Sequence, residues 1–390
     1  MRHFEHISKE DREKIFMKQP ESFTRYEDRE KLSYALGATI YTPALRPEIA
    51  KDIIRKKHRG VQSMVICLED AVGDLMTNEA QESLLRTLAE IDSALAKGEI
   101  KEEEMPLLFV RVREPVQIER LSQMARQKMG ILSGLVFPKF SSRNAIDYMH
   151  YLERAEEITG ASLYAMPVLE SIDILNWDTR KEALRAINGI IDGNRDKILN
   201  LRIGATDFSG YFGIRRSHDT TVYDIHIIRD CITDIINNFC RPERDFAVSG
   251  PVWEYFCGGD RVLKPQLRMT PFRQAYGDMG EQKRGRLIDQ YIDGLIHEVI
   301  LDRANGLVGK TVIHPSHIAP VQAMQCVTHE EYMDAMSITQ NSSGNVGVIK
   351  STYSNKMNEI KPHSIWAKKI LKRASIYGVL NSGYDFASLI

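Results

Sequence analysis

The sequence has little with which to cross-link itself. Its five cysteines, at positions 67, 231, 240, 257 and 326, form no C-x-x-C pair and are odd in number. That argues against a disulfide framework or a cysteine zinc site, and for reduced thiols in a cytoplasmic protein. Net charge is missing as well. Fifty-two Lys and Arg face 53 Asp and Glu, so no basic face is implied and nucleic acid is excluded as a partner. No apolar run approaches the ~18 residues of a membrane span. The first residues, MRHFEHISKEDREKIF, are charged and lack the apolar stretch of a secretory signal. Internal repeats and low-complexity tracts are absent. No G-x-G-x-x-G follows the first strand-like run, which removes the dinucleotide fingerprint.

What is present is a chain of 390 residues, 43% hydrophobic and 27% charged, the balance of one large α/β domain with appendages. Eight short apolar runs stand out: ATIYTP (38–43), VQSMVICLED (61–70), LLFVRVRE (107–114), GLVFPK (134–139), LYAMPVLE (163–170), LNLRIGATD (199–207), DFAVSGPV (245–252) and GKTVIHP (309–315). Runs this apolar suit strands buried on both faces. Between them lie helical patterns over 44–60, 77–95, 116–129, 145–158, 222–238 and 283–304, with a further long helical segment between 170 and 199. Strand–helix alternation argues a parallel sheet, and a count of eight argues closure. The expected fold is an α/β (β/α)8 TIM barrel over 37–327, with an open doubly wound sheet as the alternative. Residues 1–36 read as an N-terminal helical extension. Residues 328–390 read as a C-terminal lid or oligomerisation segment, with a helix near 328–336, a polar loop or small hairpin over 338–355 and a basic amphipathic helix over 363–379.

The apolar runs end on polar side chains: Glu69 and Asp70, Arg111 and Arg113, Lys139, Glu170, Asp207 and His314. In a parallel barrel these ends share one mouth, where chemistry collects. Acids there would hold a hard cation such as Mg²⁺, and arginine would hold a carboxylate in a fork. Glu170 and Asp207 are the candidate metal pair, although either alone would also serve as a helix cap. Arg111 is a candidate for catalysis and substrate contact. Arg113, two residues on, is expected on the same side of the strand. Lys139 is read as a substrate contact or as an ion pair within the ring, and Thr206 joins the substrate contacts. Glu69 and Asp70 are candidate catalytic acids, or caps, or partners of Lys139. His314 and His317 read as satisfied loop histidines. The run Arg215, Arg216, His218 reads as a solvated face, with a phosphate contact as the alternative. The partner this implies is a small-molecule carboxylate.

The ordered set YTPALRPE, ICLEDAV, FVRV, VFPK, PVLES, RIGATD, GKTVIHPSHI resembles the citrate lyase β-subunit and HpcH-type aldolase family, over roughly residues 37–325 with a weaker echo to about 373. The resemblance implies a (β/α)8 barrel that binds Mg²⁺ and makes or cleaves C–C bonds beside a 2-oxo acid or thioester carbonyl, through a metal-stabilised enolate. It implies that Glu170 and Asp207 hold the metal, that Arg111 contacts the oxo acid and its enolate, and that Glu69 and Asp70 lie near the metal's waters. SNKMNEIKPHSIWAKKIL resembles the segment with which thioester-lyase members offer an aspartate to a neighbouring subunit as acid or base. Glu359 stands at that position, which implies a catalytic role for it and a homo-oligomer, trimer or hexamer. Gly37 and Ala38 stand where the family has Arg-Ser, which tells against a coenzyme A thioester. Cys67 stands for an acid, Arg113 for an Asn and His317 for a Gln. These departures suggest a divergent branch with a more anionic substrate. Two other function classes stay open: a catalytically altered barrel serving as a binding or assembly subunit, and a phosphoenolpyruvate-type metal-enolate enzyme.

Overall fold

The computed structural model describes residues 1–256 and 290–390. Its centre is a parallel sheet of eight strands: β1 (Ala38–Pro43), β2 (Ser63–Cys67), β3 (Leu107–Arg111), β4 (Gly134–Phe137), β5 (Tyr164–Leu169), β6 (Leu201–Ile203), β7 (Val248–Ser249) and β8 (Lys310–Val312). From β1 to β7 each strand pairs with its chain neighbour, and β1 also pairs with β8. The two edges then meet. Val308 N–H donates to Val248 O at 2.8 Å, Gly250 N–H to Gly309 O at 3.0 Å and Thr311 N–H to Gly250 O at 3.1 Å. These bonds close the expected (β/α)8 barrel and exclude the open sheet.

The wholly apolar runs have a simple cause. Alternate residues of a strand face opposite sides, and here both sides are buried. Ile40, Ile66, Val110, Leu135 and Ala165 pack outward in the main core with the helices. Val65, Phe109, Val136 and Met166 fall in a second core inside the barrel. That second core continues into Phe4, Phe16, Phe23 and Tyr377, so the ends of the chain plug the barrel floor. The strand Phe16–Lys18 pairs antiparallel with Val379–Leu380, and Tyr377 donates its hydroxyl proton to Tyr34 O at 2.6 Å. The extension, with helices Lys9–Ile15 and Arg29–Ala35, thus packs on the C-terminal segment. In that segment, helices His329–Gln340 and Ile360–Tyr377 share a small core of Ile338, Ala367 and Ile370. The hairpin of Val348–Lys350 and Met357–Glu359 joins them.

Three local expectations shift. The helix over 44–60 is only Ile49–Ile54, because Pro47 lacks a donor and biases Arg46 away from helix. The sixth run does not stay extended to Asp207: β6 stops at Ile203, and Ala205–Tyr211 is helical with Asp207 in its first turn. Arg216 is neither on a solvated face nor open to a phosphate. It is buried, paired to Glu298 and to Glu254, and Lys310 on β8 reaches Glu298 and Asp302 at 2.8 Å each. Of the helix expected over 283–304, Gln290–Ala304 is seen, while 283–289 and Cys257 lie outside the described residues. Among the described residues, no helix is long and apolar enough to cross a membrane.

Candidate active site

Arg111 closes β3 opposite Cys67 of β2 and sits at the centre of the charged mouth. Its guanidinium pairs with Glu69, with Asp70 at 2.8 Å and with Glu170 at 3.3 Å. Glu69 is buried and held between Arg111 and Lys139, whose Nζ lies 2.6 Å away. Its second role is local: Glu69 Oε2 accepts the Asp70 N–H at 2.9 Å. With its oxygens engaged in this way, Glu69 positions Arg111. Burial works against the Asp70 charge, but Arg111, then Glu69 and Lys139, hold that carboxyl below its ordinary range. Asp70 is half exposed and is therefore an ionised group open to water.

Glu170 follows β5 directly and is 6% exposed. Its Oε1 accepts the Lys139 N–H at 2.9 Å. Lys139 adopts φ +49°, a conformation uncommon outside glycine, and so aims its amide at the acid while its ammonium turns to Glu69. Glu170 Oε2 occupies the place a Cβ would take on Gly204. Any side chain at 204 would push the acid out, so glycine there is a requirement of the site. Asp207 lies within side-chain hydrogen-bonding reach of Glu170. Burial pushes Glu170 up to about 8 against the pull of Arg111, and Asp207 adds to the rise. Burial also raises Asp207, helped by Asp70.

A buried acid beside a partly exposed one, both held back from ionising, forms a place for a cation. At the strand ends four carboxylates, Glu69, Asp70, Glu170 and Asp207, face two cations, Arg111 and Lys139. Fully ionised, as a bound cation would keep them, the four acids exceed the two bases by two charges, the charge of one Mg²⁺. Among the described residues no three His, Cys, Asp or Glu gather to hold a metal. Two carboxylates with water completing the shell is an ordinary Mg²⁺ donor set, so the residues fit that ion. Arg111 Nε is also buried without an acceptor, a donor free for a ligand oxygen.

Two cavities share Asp70, Glu170, Thr206 and Asp207 as walls. The outer one, of about 720 Å³, also meets Lys139 and Ser171. The inner one, of about 180 Å³, runs down into the barrel past Arg111 and Val168. Thr206 lines both and donates to Glu254 Oε1 at 3.2 Å. The structure thus gathers Glu69, Asp70, Arg111, Lys139, Glu170, Thr206 and Asp207.

Arg113 and Glu359 are not part of the gathering. Arg113 lines neither cavity. It ties down the loop after β2, donating to Val72 O at 2.9 Å and pairing with Asp74 at 2.5 Å. The expected alternation fails because β3 ends at Arg111, two residues earlier. Glu359 is exposed at the start of helix Ile360–Tyr377, where its N–H meets His363 Nδ1 at 3.1 Å. His314 stacks on Phe256 at 4.4 Å and bonds Ser316, and His317 Nε2 meets Tyr255 O at 3.0 Å. Each histidine thus has a hydrogen-bond partner close by, the loop role expected of it. Sequence reasoning passed over Tyr41, Arg202 and Thr311, which line the inner cavity. The signal was there: Arg202 is a lone charge inside an otherwise apolar run.

A (β/α)8 barrel with an acidic pair and a guanidinium at its strand ends has the architecture of a barrel enzyme site. The chain belongs to the family of C–C bond lyases of the TIM-barrel fold, whose model matches residues 30–379. A search of curated proteins by sequence finds no match. Among solved structures, a citrate lyase from Burkholderia xenovorans LB400 is similar at 13% identity and a TM-score of 0.59, covering 91% of this chain and 96% of its own. The CitE protein of Mycobacterium tuberculosis, in complex with magnesium, acetoacetate and coenzyme A, is similar at 17% identity and a TM-score of 0.50, covering 88% of this chain and 99% of its own. At these identities the likeness is one of fold.

Proposed function

We propose that this protein is a Mg²⁺-dependent carbon–carbon lyase or aldolase acting on a 2-oxo acid or acyl thioester by way of an enolate. The observation that carries this reading is the pairing of buried Glu170 with Asp207 in the same cavity as Arg111. Glu170 and Asp207 would hold Mg²⁺, which when bound supplies Lewis-acid polarisation of a substrate oxygen and a template for orienting it. In the cleavage direction, the C–C bond beyond the α-carbon breaks, its electron pair passing through that carbon toward the carbonyl oxygen, while the hydroxyl on the departing carbon gives up its proton and becomes a carbonyl. Arg111 faces the place where that charge gathers, and its unpaired Nε is a preorganised donor to it. Glu69 and Lys139 hold Arg111 and Asp70 in place. Asp70 is ionised and open to water, so it is the strand-end group suited to hold the water that carries a proton to or from carbon.

A free acid fits the inner cavity whole, whereas a coenzyme A thioester would extend out through the larger one. Glu359, exposed on the C-terminal segment, could serve as the base only in the site of a second copy, within a homo-oligomer. The four described cysteines are free, in keeping with a cytoplasmic setting. The magnesium and acetoacetate of the M. tuberculosis relative are ligands of the kind this site would take.

Proton exchange tests the reading. In D₂O with Mg²⁺, the protein should replace the C3 protons of at least one 2-oxo acid in a panel with deuterium, followed by NMR, and chelation of the metal should stop it. No exchange and no metal-dependent binding across the panel would leave a binding or assembly subunit.

A further inference from the structure

Arg202 is the one residue of β6 whose register, opposite Val168 and Ser249, carries a charge into the barrel interior. It is 1% exposed. Its guanidinium donates to Thr311 Oγ1 at 2.9 Å and 3.3 Å and to Thr39 Oγ1 at 3.4 Å. The Tyr41 ring lies 5.5 Å from the guanidinium carbon. Among the described residues, no carboxylate forms an ion pair with it, and the charge of Arg111, another cation, works against its own. The other strand bases differ. Lys310 has Glu298 and Asp302, and Arg111 has Glu69, Asp70 and Glu170. A buried charge without a counter-charge is costly and is kept where something else will pair with it.

The inner cavity supplies the place. Arg202, Thr311 and Tyr41 form its lower wall, and Arg111, Glu170 and Asp207 form its upper wall. Its volume of about 180 Å³ is roughly six waters' worth at ~30 Å³ each, room for an acid of four or five carbons. We infer that Arg202, oriented by the Thr311 and Thr39 hydroxyls, binds a second carboxylate of the substrate, so that the protein acts on a dicarboxylic 2-oxo acid. This rests on the reading of the upper site proposed above. The reacting end lies at Arg111 and the metal pair, and the distal carboxylate takes the guanidinium fork below. The residue specifies substrate and takes no part in bond breaking.

Calorimetry on the full chain tests this with pyruvate, oxaloacetate, 2-oxoglutarate and inorganic phosphate, each with Mg²⁺ and again with chelator. The wild type should bind at least one of the two dicarboxylates about tenfold or more tighter than pyruvate, the margin expected when a built polar partner is used or left empty. Arg202→Met should abolish that margin, keep pyruvate binding within about twofold, and melt no lower than wild type, since it removes an unpaired buried charge. Arg202→Lys, which keeps charge and loses the fork, should fall between. The inference is overturned if no dicarboxylate is preferred, if Arg202→Met keeps the preference, if phosphate binds more tightly than either dicarboxylate, or if none of the four binds. A preference that needs Arg202 but not Mg²⁺ would uphold the subsite and remove the metal reading instead. Mg²⁺-dependent pyruvate binding with no dicarboxylate preference would do the reverse.

Discussion

Glu170→Gln is expected to lower Mg²⁺ affinity by about a hundredfold or more, the upper end of what loss of a supporting group does at metal sites, while the fold survives. The amide has the shape of the acid, and its oxygen still accepts the Lys139 N–H. Arg111 keeps Glu69 and Asp70 as partners. The change also removes a carboxyl that burial pushes up to about 8, so thermal unfolding should shift little or upward. What is lost is one of the two anionic donors. Calorimetric titration with Mg²⁺ beside a melting curve separates the effects. Unchanged Mg²⁺ affinity would place the metal elsewhere.

The second large effect is at Arg111. Lysine keeps the charge but replaces a planar fork by a point donor. It can neutralise Glu69 and Asp70, yet it cannot serve Glu170 and present a second donor to substrate at once. Turnover should fall well over tenfold, the scale of losing one preorganised donor to developing charge being about 10²–10³. Stability should fall modestly. Arg111→Met should behave differently. It leaves buried Glu170 without its cation and buried Glu69 with Lys139 alone, and breaking a buried pair by removing one partner costs roughly 3–5 kcal/mol. Turnover numbers on the two variants, with melting temperatures, distinguish a catalytic guanidinium from a purely structural one. Full activity in the lysine variant would take Arg111 out of the chemistry.

These residues were legible in the sequence because a barrel strand buried on both faces writes itself as an apolar run, and the first polar residue after it marks the mouth. Arg111, Lys139 and Glu170 follow that rule. Asp207 followed it only by luck of spacing: β6 had already ended at Ile203, and a helical turn brings the acid back to Glu170. The same rule misplaced Arg113, because alternation holds only while the strand lasts. It also hid Arg202, which lies inside the run, where a single base does not break the pattern.

Two features were not local at all. The pairing of Phe16–Lys18 with Val379–Leu380 joins three-residue and two-residue strands from opposite ends of the chain. The closure of the barrel rests on β7, a strand of two residues. Elements that short carry no periodicity, and their partners are set by what the barrel floor leaves uncovered.

The central claim is that Glu170 and Asp207 hold one divalent cation. Mn²⁺ is a visible stand-in for Mg²⁺, and anomalous diffraction from Mn²⁺-soaked crystals of the wild type and of Glu170→Gln would locate it. We expect a single strong peak between the two carboxylates in the wild type and none there in the variant. A peak at another site, or an empty position between two ordered carboxylates at millimolar Mn²⁺, would contradict the account.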